Sequence, residues 1–230
     1  VSTDGTDVEG YGSEEYPFRT IQYAYTYAEL NNEDGNFSGG DTIIVSDGEY
    51  AGYFNIPPEL TIISMNGPEN TVINANDGIS FQTGFGGINQ TTLSGFTITG
   101  ANNNGCGGIR LGFEAQPLLE NLIITNNHSI GEQENDGGGG ICLDNTSAII
   151  RNCTIQNNSS QLKGGGILLK NGASATIDNC FIDSNSAENG GGISIEGSSI
   201  LLIDNSTISY NSADHNGGGL FVSDNSNLSM

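Results

Sequence analysis

Only five side chains of this 230-residue chain are positively charged, Arg19, Arg110, Arg151, Lys163 and Lys170, against 27 carboxylates. Any general base or anion clamp of the Lys or Arg type is drawn from these five. The net charge of −22, with many side-chain amides beside the carboxylates, favours a hard divalent cation bound through oxygen, and Ca2+ is the expected ion. Asp178 and Asp204 are the leading pair for it; Asp4, Asp7 and Glu9 form a second set, without EF-hand spacing. A second candidate region is the polar stretch carrying His128, Glu132, Glu134 and Asp136. Cys106, Cys142, Cys153 and Cys180 form no Cys-x-x-Cys pair and have no flanking histidine, so zinc is not expected. So acidic a chain is repelled by phosphate backbones and anionic lipid, which excludes nucleic acid as a partner. No apolar run reaches the ~20 residues of a membrane span.

What positions these residues is a repeat. Glycine runs followed by an aliphatic residue end at Ile109, Ile141, Ile167, Ile193 and Leu220, with a weaker copy at Ile79. A second series, Ile73, Ile98, Ile124, Ile155, Ile182 and Ile208, advances by 25 to 31 residues. Three residues before it stand Asn70, Gly95, Asn121, Asn152, Asn179 and Asn205; three after it stand Asn76, Ala101, Asn127, Asn158, Asn185 and Asn211. Five before it come Leu93, Leu119, Ile150, Ile177 and Ile203. Each repeat holds three short alternating stretches with strand period, none long enough for a helix. Three short strands, Gly and Asn corners and a period near 26 residues predict one coil of a parallel β-helix, with about seven coils in all. Stacked at ~4.8 Å, equivalent aliphatic residues form continuous core columns. The asparagines are expected as corner residues, tolerant of a left-handed backbone and able to bond along the axis.

The same register assigns the chemistry-bearing residues. Asp178 and Asp204 fall on consecutive coils in a column with Glu120 and Arg151, where two carboxylates ~5 Å apart repel unless a cation or proton intervenes. Lys170 shares a column with Asp144 and Glu196, read as a solvated charge ladder. Cys153 and Cys180 face each other in the core as a thiol ladder, because in-register parallel side chains rarely reach disulfide torsions. Cys106 and Cys142 stand at different offsets and are not expected to meet. The interval from Asn127 to Ile141 is 14 residues where its counterparts are 8 or 9, so the candidate loop is an insertion, a common place for function on a solenoid.

Residues 1–40 are read as a cap region and 41–230 as a single β-helix domain. Ile21, Ala24, Tyr25 and Ala28 have the spacing of one amphipathic helix face, predicting a helix near 17–30 that covers the first coil. The chain begins at Val1 without a signal segment, as expected of a processed or excised chain. Its last coil is expected to be covered by further coils or by a second copy stacked end to end.

The Gly-Gly-aliphatic motif, paired with Phe181-Ile182-Asp183-Ser184-Asn185 and its equivalents, resembles the repeats of chlamydial polymorphic outer-membrane proteins. The chain is similar more broadly to the pectate-lyase-like right-handed β-helix superfamily, and its opening, from Val1-Ser2-Thr3-Asp4-Gly5 to Gly40-Asp41-Thr42-Ile43, to that of many secreted bacterial members. The resemblance implies a right-handed coil, a hand the crossover rule also favours, and a secreted or cell-surface setting. Lyases of this superfamily use an Arg or Lys base beside calcium-binding carboxylates. Its glycoside hydrolases cluster aspartates around an Asp-Asp pair and a Gly-His-Gly. This chain has no Asp-Asp pair, and His128 and His215 lack those flanks. The expected function is therefore a structural or adhesive module, glycan-binding or self-assembling. A polysaccharide lyase or glycoside hydrolase working in a groove along the helix is the alternative.

Overall fold

The computed structural model describes residues 1–31, 41–52, 54–56, 59–76, 78–81, 91–112, 116–133 and 136–230. Every strand pairing among them is parallel, and the strands fall into four sheets that run along one axis. In chain order around a coil, the first sheet has eight strands from Thr42–Val45 onward and the second seven from Gly48–Ala51. A short third sheet has five, beginning at Asn102–Asn103, and the fourth has seven, beginning at Phe54–Ile56. This is the predicted parallel β-helix, with a rung count close to the expected seven.

The predicted columns are the observed registers. Ile73, Ile98, Ile124, Ile155, Ile182 and Ile208 pair rung to rung, and Tyr50 extends the column one rung earlier. Ile79, Ile109, Ile141, Ile167, Ile193 and Leu220 do the same from Phe54. The alternation in Ser147–Arg151 and Ile200–Asp204 puts every second residue inside. Each fully buried Ile or Leu contributes roughly 1.5–3 kcal/mol. A lone coil has no second apolar layer, so burial requires its neighbours.

The asparagines divide into two structural roles. Asn121, Asn152, Asn179 and Asn205 hold left-handed corners with φ between 47° and 53°. At the next corner Asn126 and Asn157 do likewise, and Ser184 and Tyr210 take the same position with φ of 54° and 49°. The inner column, Asn127, Asn158, Asn185 and Asn211, is a hydrogen-bonded amide ladder. Asn158 Oδ1 accepts from Asn127 N at 3.1 Å and Asn127 Nδ2 at 3.0 Å. Asn158 Nδ2 in turn donates to Ile124 O at 2.9 Å and Asn185 Oδ1 at 3.1 Å.

One helix occurs among the described residues, Ile21–Asn31, packed on the strands Thr42–Val45 and Phe54–Ile56 with Ile21, Ala24 and Tyr25 buried. It starts at Ile21, not at Pro17, because the carbonyls of Pro17 and Phe18 accept Thr6 N and Ser2 N in an extended pairing. Thr20 Oγ1 caps the helix by accepting Tyr23 N at 3.1 Å. Asp7 fixes that cap, its carboxylate accepting Arg19 N, Thr20 N and Thr20 Oγ1 at 2.9, 3.0 and 2.8 Å.

Candidate functional site

The acidic row lies on the outer face of the first sheet. Glu120, Arg151, Asp178 and Asp204 are paired rung to rung, as their spacing predicts. Arg151 Nε meets Glu120 Oε1 at 2.6 Å with its side chain 45% exposed, an ion pair worth about 0–1 kcal/mol. Asn205 serves both aspartates: its Nδ2 donates to Asp178 Oδ1 at 3.0 Å and its backbone N to Asp204 Oδ1 at 2.9 Å. Ca2+ takes six to eight oxygens. The row offers it two carboxylates on successive rungs, and among the described residues no three His, Cys, Asp or Glu side chains cluster as a metal site. Of the second set, Asp7 is committed to the helix cap.

The inserted loop does not converge on one point. His128 pairs in the third sheet with Asn102 and Ser159, and its Nδ1 lies 2.6 Å from Ser159 Oγ. Asp136 turns back on its own loop, where its Oδ2 accepts Gln133 N at 2.9 Å and its carboxylate packs on Gly131. Glu132 is exposed. Glu134 lies outside the described residues.

A third cluster lies on the outer face of the fourth sheet. Arg110, Cys142, Leu168, Ser194 and Phe221 pair in one outward row, with Asp144 and Lys170 paired two residues further along the strands. An outward row should be solvated, yet Cys142, Leu168 and Ser194 are fully buried. The cause is the chain arriving from the third sheet, which crosses over this face at Gly138, Gly164, Gly190 and Gly217 with φ of 60–74°. A Cβ at Gly138 would stand 2.7 Å from Cys142 Cβ, and one at Gly190 2.9 Å from Ser194 Cβ. Only glycine combines that left-handed backbone with that approach.

Under this cover, Lys163 Nζ meets Glu196 Oε2 at 2.7 Å and Lys170 Nζ meets Asp144 Oδ2 at 3.5 Å. The side chains of Lys170 and Glu196 are only 8% and 9% exposed. Lys170 and Asp144 of the expected ladder are thus paired in register, but Lys170 and Glu196 are buried rather than solvated, and Lys163 takes Glu196. Buried pairs cost desolvation that their attraction must recover. Ser194 Oγ, in the same buried row, has no hydrogen-bond partner.

Two thiols complete the cluster. The thiols of Cys106 and Cys142 are close enough to act on each other, which corrects the expectation that they do not meet. Cys106 stands three residues before Ile109, the position occupied by Gly138, Gly164, Gly190 and Gly217 in later coils. It lacks their left-handed backbone, but Gly107 N donates to Gly138 O at 3.0 Å and Gly138 lies over Cys142, so an offset in sequence becomes proximity in space. That interaction, followed by burial, pushes the Cys106 thiol well up, while the same interaction holds Cys142 down against its own burial. Cys153 and Cys180 form the expected buried thiol ladder. The signal for the cluster was in the sequence: outward positions that read Cys, Leu and Ser are apolar or small because something covers them.

Burial works against the Lys170 ammonium, but the neighbouring thiols Cys142 and Cys106 and the Asp144 carboxylate outweigh it, and the net shift is upward. A raised lysine pKa contributes stability that is fully present below 10.5 and lost as pH rises through the folded value. Melting temperature measured from pH 8 to 11 is therefore expected to fall more steeply at its alkaline end for the wild type than for Lys170→Met. Equal slopes would mean that Lys170 gains nothing from its neighbours.

Comparison with protein families finds one match, a family described as the right handed beta helix region, over residues 86–230. A search of curated proteins and a search of solved structures each found no match. The matched span takes in the repeats from Thr92 onward and both thiol pairs.

Proposed function

From the premise that this chain belongs to the right-handed β-helix family, we propose that it is a secreted or cell-surface structural module that recognises polysaccharide without cleaving it. The observation that carries this is the outer face of the second sheet. Thr97, Ile123, Thr154, Phe181 and Thr207 pair in one outward row, and Thr99, Thr125, Gln156, Asp183 and Ser209 form the row beside it. Hydroxyls, an amide and a carboxylate thus recur at the rung spacing on a parallel sheet. Phe181 is 41% exposed between Thr154 and Thr207, and Tyr210 is 88% exposed at the adjoining corner. Rings beside rows of hydrogen-bonding groups match a sugar's apolar face and its hydroxyls. Three of the five basic side chains that could serve an eliminase or assist a hydrolase are engaged instead: Arg151 with Glu120, Lys163 with Glu196, Lys170 with Asp144.

Retention on immobilised acidic and neutral polysaccharides tests this, with and without Ca2+ because of Asp178 and Asp204. Binding is expected for at least one polymer, weakened about tenfold by Phe181→Ala or Tyr210→Ala, the loss of one ring contact. New reducing ends or unsaturated products, abolished by one outward substitution, would overturn it in favour of a hydrolase or lyase. Retention untouched by both ring substitutions would remove the second-sheet face from the proposal.

A further inference from the structure

We propose that Cys106 and Cys142 form a dithiol site that reacts with a small disulfide of the glutathione type and closes to a disulfide between successive rungs. The geometry begins with register. Cys106 occupies the column of Gly138, Gly164, Gly190 and Gly217, each of which lies against the backbone or Cβ of the outward strand that follows it. Cys106 lacks the left-handed backbone of those glycines, but it stands one rung before Gly138, whose Cβ would lie 2.7 Å from Cys142 Cβ, and Arg110 of its own rung pairs with Cys142. The chain is tied on both sides of Cys106 to the segment that leads into Cys142: Gly137 N donates to Gly105 O at 3.1 Å and Gly107 N to Gly138 O at 3.0 Å.

Access and reactivity are divided between the two sulfurs. Cys106 is partly exposed, whereas Cys142 is fully buried. Access selects Cys106 as the sulfur that meets the reagent: its interaction with Cys142 and its burial push its thiol up, and the Lys170 ammonium and the Arg110 guanidinium offset part of that push. Cys153 and Cys180 also interact with each other, but neither sulfur is accessible. They are stacked in register inside the core, and their thiols donate to the carbonyls of Arg151 at 3.1 Å and Asp178 at 3.3 Å.

The exchange balances without a further reagent. The Cys106 thiolate attacks one sulfur of the small disulfide, forming a mixed disulfide and releasing one thiolate. The Cys142 thiolate then attacks the Cys106 sulfur and releases the second. Two protein thiols lose two electrons and two protons; one small disulfide becomes two thiols.

The test is to hold the reduced, folded chain in oxidised glutathione, quench with acid, alkylate and map the peptides by mass. The expected product is a Cys106–Cys142 crosslinked peptide, with Cys153 and Cys180 alkylated only after unfolding. Cys142→Ser should stop at the first step and accumulate glutathione on Cys106, and Cys106→Ser should take up none. A wild-type product that stays as the Cys106 mixed disulfide, a Cys153–Cys180 crosslink formed first, or four free thiols after the incubation would each overturn the proposal.

Discussion

Replacing Asn158 by alanine is expected to lower the stability of the fold by about 3–5 kcal/mol, among the largest effects of any polar substitution in the chain. The side chain is buried and fills all its roles within the core. Its oxygen accepts from Asn127 N and Nδ2, and its nitrogen donates to Ile124 O and Asn185 Oδ1. Alanine leaves the Asn127 backbone N–H without its acceptor, takes from Asn127 Nδ2 one of its three acceptors, and leaves Ile124 O without the Asn158 amide. A buried donor or acceptor left unmade costs about 1–3 kcal/mol, and the void adds to it. Asn157 next to it supplies the internal comparison. It stands at a left-handed corner with φ of 55°, so Asn157→Ala should cost only about 1–2 kcal/mol and Asn157→Gly almost nothing. Urea denaturation gives the ranking. Hydrogen exchange at the Asn127 amide locates the damage and should accelerate in Asn158→Ala alone. A loss at Asn158 no greater than at Asn157 would show that the ladder is decorative.

The sequence made the ladder legible as a column but not as a distinct structure. Asn152, Asn157 and Asn158 are the same residue type, and composition alone cannot tell a left-handed corner from a buried amide. Position does tell them apart. The corner column admits Gly95 in one coil, where only backbone freedom is needed. At the next corner Ser184 and Tyr210 replace Asn, which no propensity would have suggested. Core columns were readable because Ile and Leu recur at one offset, and a parallel rung leaves no choice of partner. The fourth-sheet cluster was hidden for the opposite reason. Its burial comes from a crossing of the chain over an outward row, a tertiary event that strand periodicity does not encode. Cys106 and Cys142 were therefore separated by offset counting, although the glycine column in which Cys106 stands pointed to their contact.

Gly165→Ala is expected to cost at least ~3 kcal/mol, although the added group is one methyl and the backbone there is of ordinary hand. A Cβ at Gly165 would press on the carbonyl oxygens of Ser186 and Gly191 and stand 2.6 Å from Ser186 C. All of these are backbone atoms of the following coil, so no side chain can rotate away. The rungs must part. Parting them stretches Gly165 N to Gly190 O, now 3.2 Å, and Gly166 N to Gly191 O, now 3.1 Å. Two other glycines separate the causes. Gly172 has no atom within 4 Å of the added Cβ but a φ of 79°, so Gly172→Ala should show backbone strain alone, about 1–2 kcal/mol. Gly112 has neither obstruction nor a left-handed backbone, and Gly112→Ala should be neutral or stabilise by about 0.4–1 kcal/mol through the unfolded chain. The order Gly165, Gly172, Gly112 in loss of melting temperature is the expected result. If Gly165→Ala melts with Gly112→Ala, close rung contact is not what fixes the glycine triplets, and their role is confined to the left-handed first glycine that lays the chain over the fourth sheet.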